Sequence, residues 1–245
     1  MGFGLALQED SRLVLESAIC LYKSAAGEGY ATAHGIERNG QAPTLGAGVP
    51  LSRKAIGNVI AMLGKGANNG SFLSAQILSI GYDYMMWWEA PTTRSIFFKE
   101  RPDGDGKTAI GTRSGMTPQP GLVFMASGGG WKVFAVKGSD RPTPTTELFH
   151  SPYWNVNSAG AICTGNVKLP SVDPECIADW TKAFFSSNFT HTNFHGAKQV
   201  EGKGGFAGLW NELLDGKHKK FPEKRLLKTD KTIAQIIQSI NRGGN

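Results

Sequence analysis

Three cysteines and five histidines carry most of the nucleophilic and metal-binding potential of this 245-residue chain. Cys163 stands apart by its surroundings. It lies in Tyr153-Trp-Asn155-Val-Asn157-Ser-Ala-Gly160-Ala-Ile-Cys163-Thr-Gly165-Asn166, a run rich in Asn, Gly and Ser. Such residues hold a backbone by turns rather than by a sheet ladder, so a thiol there is expected to meet solvent. The thiolate is the nucleophile, and a thiol with the ordinary pKa of about 8.5 is ionised to only a few per cent at pH 7. Cys20 falls in an apolar run and Cys176 in the first turn of an amphipathic helix. Cysteines in such places pack as small hydrophobes.

His191 and His195 have metal-like spacing, with Cys163 and Cys176 upstream. The wide gap between those cysteines and the lack of acidic ligands nearby argue against zinc. His34, His150 and His218 are isolated and receive no role. Gly202-Lys-Gly204-Gly-Phe-Ala207 spells a dinucleotide-binding pattern, but no strand precedes it, so it reads as a loop. Gly106-Lys107-Thr108 ends like a phosphate-binding loop whose first glycine position holds Arg101. Asp103 and Asp105 start like a calcium loop, and then Lys107 and Ser114 occupy ligand positions. No metal and no cofactor is expected.

The odd cysteine count and the absence of C-x-x-C exclude a disulfide framework and a Cys-pair zinc site. With 40% apolar and 19% charged residues the chain reads as a folded soluble protein, and its 32 glycines point to many turns and loops. No apolar run approaches the roughly 18 residues that span a bilayer. MGFGLALQEDSR lacks the basic and apolar regions of a secretory signal, so a reduced, cytoplasmic location is expected. The net charge of +6 is concentrated. Lys217, Lys219, Lys220, Lys224, Arg225, Lys228 and Lys231 face only Glu223 and Asp230, which gives that segment +5. It reads as a solvated linker before the last helix, because no aromatic interleaves the basics as a nucleic-acid stacking platform requires.

Several elements must position these groups. Leu13–Tyr22 and Tyr30–Ile36 read as a strand pair, and QAPTLGAGVP as a loop. Ser52 can cap a helix carrying Ile56, Val59, Ile60 and Leu63 on one face. Gln76–Ile80, Tyr84–Glu89, Ser95–Lys99, Leu122–Ala126 and Trp131–Lys137 read as strands of an antiparallel meander. APTTR is expected to turn between the second and third. Arg101–Pro120 reads as a twenty-residue loop. Helices then follow. Asp173-Pro174 starts one bearing Ile177, Trp180, Thr181, Phe184 and Phe185. Phe206, Leu209, Trp210 and Leu213 mark a second, and Ile233, Ile236, Ile237 and Ile240 a third. Strands followed by helices make an α+β class.

Asn155-Val156-x-x-x-Gly160-x-Ile162-Cys163 resembles the active-site segment of ubiquitin-conjugating enzymes. That family has an Asn eight residues before the acceptor Cys, Val after the Asn, Gly three before the Cys, and Ile or Val just before it. It also has His-Pro-Asn where this chain has Tyr153-Trp154-Asn155. A bacterial branch, the protein B family of the plasmid-associated PRTRC gene cluster (prokaryotic ubiquitin-conjugating family D type), lacks that His and carries another downstream of the Cys. Several segments are similar to it: Pro43-Thr-Leu-Gly-Ala-Gly before Pro50-Leu51, Trp87-Trp88 before a proline turn, Phe97-Phe98, and Pro144 and Leu148 leading to Pro152. Phe184-Phe185-x-x-x-Phe189-Thr-His191-x-Asn193 is similar as well, and places the downstream His at His191, with His195 as the competitor.

The resemblance, over about residues 30–195, implies a ubiquitin-conjugating-enzyme-like fold. That fold has an antiparallel four-strand meander, a Cys-bearing flap and then helices, here behind an N-terminal strand-pair and helix extension. It implies a single domain, with residues 1–50 as the extension, 51–195 as the core and 196–245 as a helical, basic region. It implies a thioester carrier that accepts a ubiquitin-like protein on Cys163 from a ThiF-type activating enzyme and passes it to an amine. Asn155 would donate to the oxyanion or hold the flap, and His191 would accept a proton from the thiol or the amine. A JAB-type metallopeptidase of the same system and an unidentified target protein are the further expected partners. Two other readings are a non-catalytic binding module that keeps the fold, and a nucleic-acid-associated plasmid maintenance protein using the basic segment.

Overall fold

The computed structural model describes residues 14–27, 29–38, 42–52, 73–81, 84–99, 110–127, 130–165, 167–195 and 198–242. Contacts divide the chain into two compact units, Met1–Ser71 (with Asn245) and Phe72–Gly244. In the first, β1 (Ser17–Lys23), β2 (Gly29–Glu37) and β3 (Thr44–Pro50) form an antiparallel sheet in that order. The expected strand pair is there, but QAPTLGAGVP supplies a third strand and not a loop. Its glycines hide the alternation, and one of them has a steric reason. The His34 ring lies across Gly48, where a Cβ would come within 2.5 Å of it. His34 also bonds Gly46 O through Nδ1 (2.9 Å) and Thr32 Oγ1 through Nε2 (2.7 Å), so an unassigned histidine clamps β2 to β3. The helix expected after Ser52 lies outside the described residues, as do Asp103, Asp105 and the Gly106-Lys107-Thr108 pattern.

The second unit is built on a six-stranded antiparallel sheet. Its strands are β4 (Ile77–Ile80), β5 (Tyr84–Glu89), β8 (Gly121–Ser127), β9 (Gly130–Val136), β10 (Glu147–Phe149) and β11 (Lys228–Thr232). They lie in the order β11-β10-β9-β8-β5-β4, while β6 (Thr92–Phe98) and β7 (Arg113–Gln119) form a separate two-stranded sheet. One register runs from Tyr84↔Ser127 through Glu89↔Leu122 to Thr92↔Gln119 and Phe98↔Arg113. The two pairs are therefore one long hairpin with a break. Pro91 and Pro120 fall at the same point of that register, and neither can donate to the ladder. APTTR is accordingly an interruption within a strand and not a reversal. The C-terminal part of the expected twenty-residue loop is β7.

Alternating side chains along β5 send Met85 and Trp87 to one face and Met86 and Trp88 to the other. The first face receives α1 (Ile177–Phe185) and α2 (Gly205–Leu214), and the second receives α3 (Ile233–Arg242). Asp173 Oδ1 accepts from Glu175 N ahead of the 3₁₀ turn Pro174–Cys176 that leads into α1. Helix α1 is pinned by a buried polar chain as well as by apolar contact. Trp87 Nε1 donates to Thr181 Oγ1 (3.3 Å), which donates to Glu89 Oε1 (2.9 Å), while Arg94 pairs with Glu89 Oε2 (2.6 Å). Helix α3 opens with a capping box, since Thr232 N donates to Gln235 Oε1 and Gln235 N to Thr232 Oγ1. Among the described residues no helix is long and apolar enough to cross a membrane.

The basic segment is not a linker. It contains the 3₁₀ turn Glu223–Arg225 and the edge strand β11. Arg225 is buried, and its guanidinium donates to Glu201 O, Lys203 O and Gly205 O and pairs with Glu212 (3.2 Å). Those carbonyls flank the start of α2, where the dinucleotide-like glycine pattern is a turn followed by a helix. Arg225→Met removes the guanidinium's hydrogen bonds to these carbonyls and its pairing with Glu212, so urea unfolding should show a loss of about 2–4 kcal/mol. His150 follows β10, its N–H donating to Leu227 O just ahead of β11 (2.9 Å) and its ring standing edge-on to Phe194 (5.0 Å). Burial holds its pKa below the ordinary 6.5, with Asp230 pulling the other way. The unfolded chain therefore binds the extra proton, so stability is full above 6.5 and falls as pH drops below it. Melting temperatures from about pH 8 to pH 5 should fall less in His150→Phe than in the wild type.

Candidate active site

The segment from Asn155 to Cys163 closes on itself and docks against β9. Cys163 N donates to Asn155 O (2.7 Å), and Val156 and Ile162 form an antiparallel bridge. Asn157 Oδ1 accepts from Ala159 N and Ala161 N (both 2.9 Å), which is the turn-forming role its type suggests. Ile162 N donates to Trp131 O and Val133 N to Gly160 O. Val156 and Ile162 are buried, and the next residue, Cys163, is an exposed free thiol. Gly160 is required twice over. Its φ is +81°, and a Cβ there would lie 2.6 Å from the Phe134 ring. Cys20 and Cys176 are half-buried, and Cys176 packs against the core.

Tyr153 and Trp154, which replace the usual His and Pro, turn inward. Tyr153 is fully buried among Phe184, Phe185, Phe189 and Trp210, and its hydroxyl donates to Gln119 Oε1 (2.5 Å). Burial raises its pKa well above 10.0, with Arg94 opposing, so it does no proton transfer near neutrality. Trp154 stacks on Phe206, with ring centroids 5.5 Å apart and 14° between planes. Asn155 is therefore the one member of the triplet that reaches the site. Its Nδ2 donates to Asn188 O (3.0 Å), and its buried Oδ1 has no partner among the described residues.

That bond joins the Cys segment to the stretch that carries the histidines. Phe189 is fixed beside β6, with Phe189 N donating to Phe97 O and Lys99 N to Phe189 O. Thr190 Oγ1 shares a hydrogen bond with His191 Nδ1 (2.8 Å). Cys163, Asn155 and His191 then line one cavity of about 440 Å³, together with Thr164, Ser187 and Asn188. His195 does not line it. It stands with Asn193, Asn157 and Ile162 in a smaller cleft of about 220 Å³, on which Cys163 also borders. The walls at Ser187 and Asn188 gave no signal in the sequence, because Asn188 holds Asn155 through its backbone carbonyl. Among the described residues no three His, Cys, Asp or Glu side chains converge as a metal site would need.

An exposed thiol, an amide and an imidazole around one cavity form a set suited to acyl transfer through a covalent sulfur intermediate. The spacing of the motif rests on the turn at Gly160. Gly160→Ala should therefore cost about 1–3 kcal/mol in denaturant unfolding and change the alkylation rate of Cys163. No curated protein and no solved structure matches the chain at a significant level. The family model for prokaryotic E2 family D matches residues 55–229, more than half of the sequence, and takes in the whole Cys163 loop, α1, His191 and α2. The chain belongs to prokaryotic E2 family D, a ubiquitin-conjugating-like family.

Proposed function

We propose that this protein is a conjugating enzyme that carries a ubiquitin-like protein as a thioester on Cys163 and transfers it to an amine. The observation that carries the reading is the single cavity lined by Cys163, Asn155 and His191. A ThiF-type activating enzyme supplies the acyl group as its own thioester. His191 takes the proton of the Cys163 thiol, and the thiolate attacks the carbonyl carbon. The new carbon–sulfur bond forms, and the activating enzyme's sulfur leaves with the electron pair. One amide hydrogen of Asn155 is committed to Asn188 O, and the other serves the oxyanion of the tetrahedral intermediate. The antiparallel run β4-β5-β8-β9 corresponds in this reading to the four-strand core, with residues 155–163 as the Cys-bearing flap.

Reconstitution with the cognate ubiquitin-like protein, its activating enzyme and ATP tests this. The wild type should form an adduct that reducing agents cleave, and Cys163→Ala should form none. Cys163→Ser should yield an ester that resists thiols and yields to base. Persistence of the adduct in Cys163→Ala would sink the assignment. Asn155→Ala should slow both formation and discharge of the adduct by about 10²-fold or more. His191→Ala should slow formation by a similar factor.

A further inference from the structure

Cys163 lines two clefts that share no other lining residue. Each cleft has one histidine and at least one asparagine. We infer that the clefts divide the reaction: the larger one, with His191, handles the thiol and the acyl carbonyl, and the smaller one admits a lysine side chain whose proton His195 accepts. This rests on the thioester reading given above.

Four features of the smaller cleft carry the inference. Its first wall is rigid, since Asn157 Oδ1 holds two backbone N–H groups and Ala161 bridges to Lys132 of β9. Its second wall, Asn193 to His195, is held by the Phe194 ring against His150 and by Phe194 N donating to Thr192 Oγ1 (3.1 Å). Its volume, about 220 Å³ against 440 Å³, suits a single side chain better than the C-terminal tail of a protein. His195 is exposed at its edge, open to solvent as a proton shuttle must be.

The chemistry requires such a group. A lysine amine has a pKa of about 10.4, so roughly one in a thousand is neutral near pH 7.4. The amine nitrogen attacks the thioester carbon, forming the nitrogen–carbon bond and an oxyanion. His195 accepts a proton from that nitrogen, and the Asn193 amide oxygen accepts a hydrogen bond from its remaining hydrogen. Collapse of the oxyanion breaks the carbon–sulfur bond, and Cys163 leaves as the thiolate with the electron pair. The proton on His195 then passes to water.

The test uses the full chain with the reconstituted partners, and it separates loading from discharge. His195→Ala and His195→Gln should load at the wild-type rate and melt at the wild-type temperature. Discharge of the preformed adduct by free lysine should be slower by about 10²-fold in both variants. Discharge by hydroxylamine, which is uncharged at neutral pH and needs no base, should be unchanged. Lysine discharge at the wild-type rate overturns the role of His195, and so does an equal loss with both nucleophiles. If the wild type itself forms no adduct, the thioester reading falls and this inference falls with it.

Discussion

The hydrogen bond from Cys163 N to Asn155 O closes the loop on which the candidate site depends. A closed loop of this length needs a residue that accepts a left-handed backbone, and Gly160 is that residue. It also needs a plug on each strand-like arm, which Val156 and Ile162 provide from within the core. Alternation then dictates the rest. With Ile162 inward, Cys163 is turned out to solvent. With Trp154 inward, the side chain of Asn155 is left at the cavity wall. The motif Asn-Val-x-x-x-Gly-x-Ile-Cys is thus a statement about how one short loop packs on β9, as much as about chemistry.

The histidines reach this loop through the aromatic core. Trp87, Phe124 and Trp180 lock α1 onto the sheet, with the Trp87–Thr181–Glu89 chain fixing its height. The chain leaving α1 is caught at once by Phe189, which packs on Phe98, Tyr153 and Phe184. Asn155 ties the two segments together at Asn188. Movement of α1 would therefore carry the histidine segment away from Cys163, and the buried polar chain resists it because an unpaired Glu89 is costly in that setting.

Much of this was legible locally. The strands β1, β2, β4, β5, β8 and β9 follow from apolar runs bounded by turn residues, and α1, α2 and α3 from stripes at helical spacing. Asp173-Pro174 marked the start of α1 because capping is a local matter. Other features were not legible. Strand β3 is hidden by glycines that make room for His34. Ser95–Lys99 marks the second half of β6, but its start and the whole of β7 are masked by Pro91, Pro118, Pro120 and polar residues that look like turn formers. The basic segment gives no hint that Arg225 is buried, since its partners are carbonyls some twenty residues away.

The sequence by itself determined the Asn155–Cys163 motif, the α+β class and the family, because these rest on side-chain periodicity and on short-range steric rules that neighbouring residues obey. Only the tertiary structure decided that Tyr153 is a core residue, through a bond to Gln119 thirty-four positions away. Only the tertiary structure decided that β5 pairs with β8 across the excursion of β6 and β7. It also separated His191 from His195, four residues apart in the chain and in different clefts around one sulfur. Those outcomes depend on which distant surfaces meet, and spacing along the chain carries no record of that.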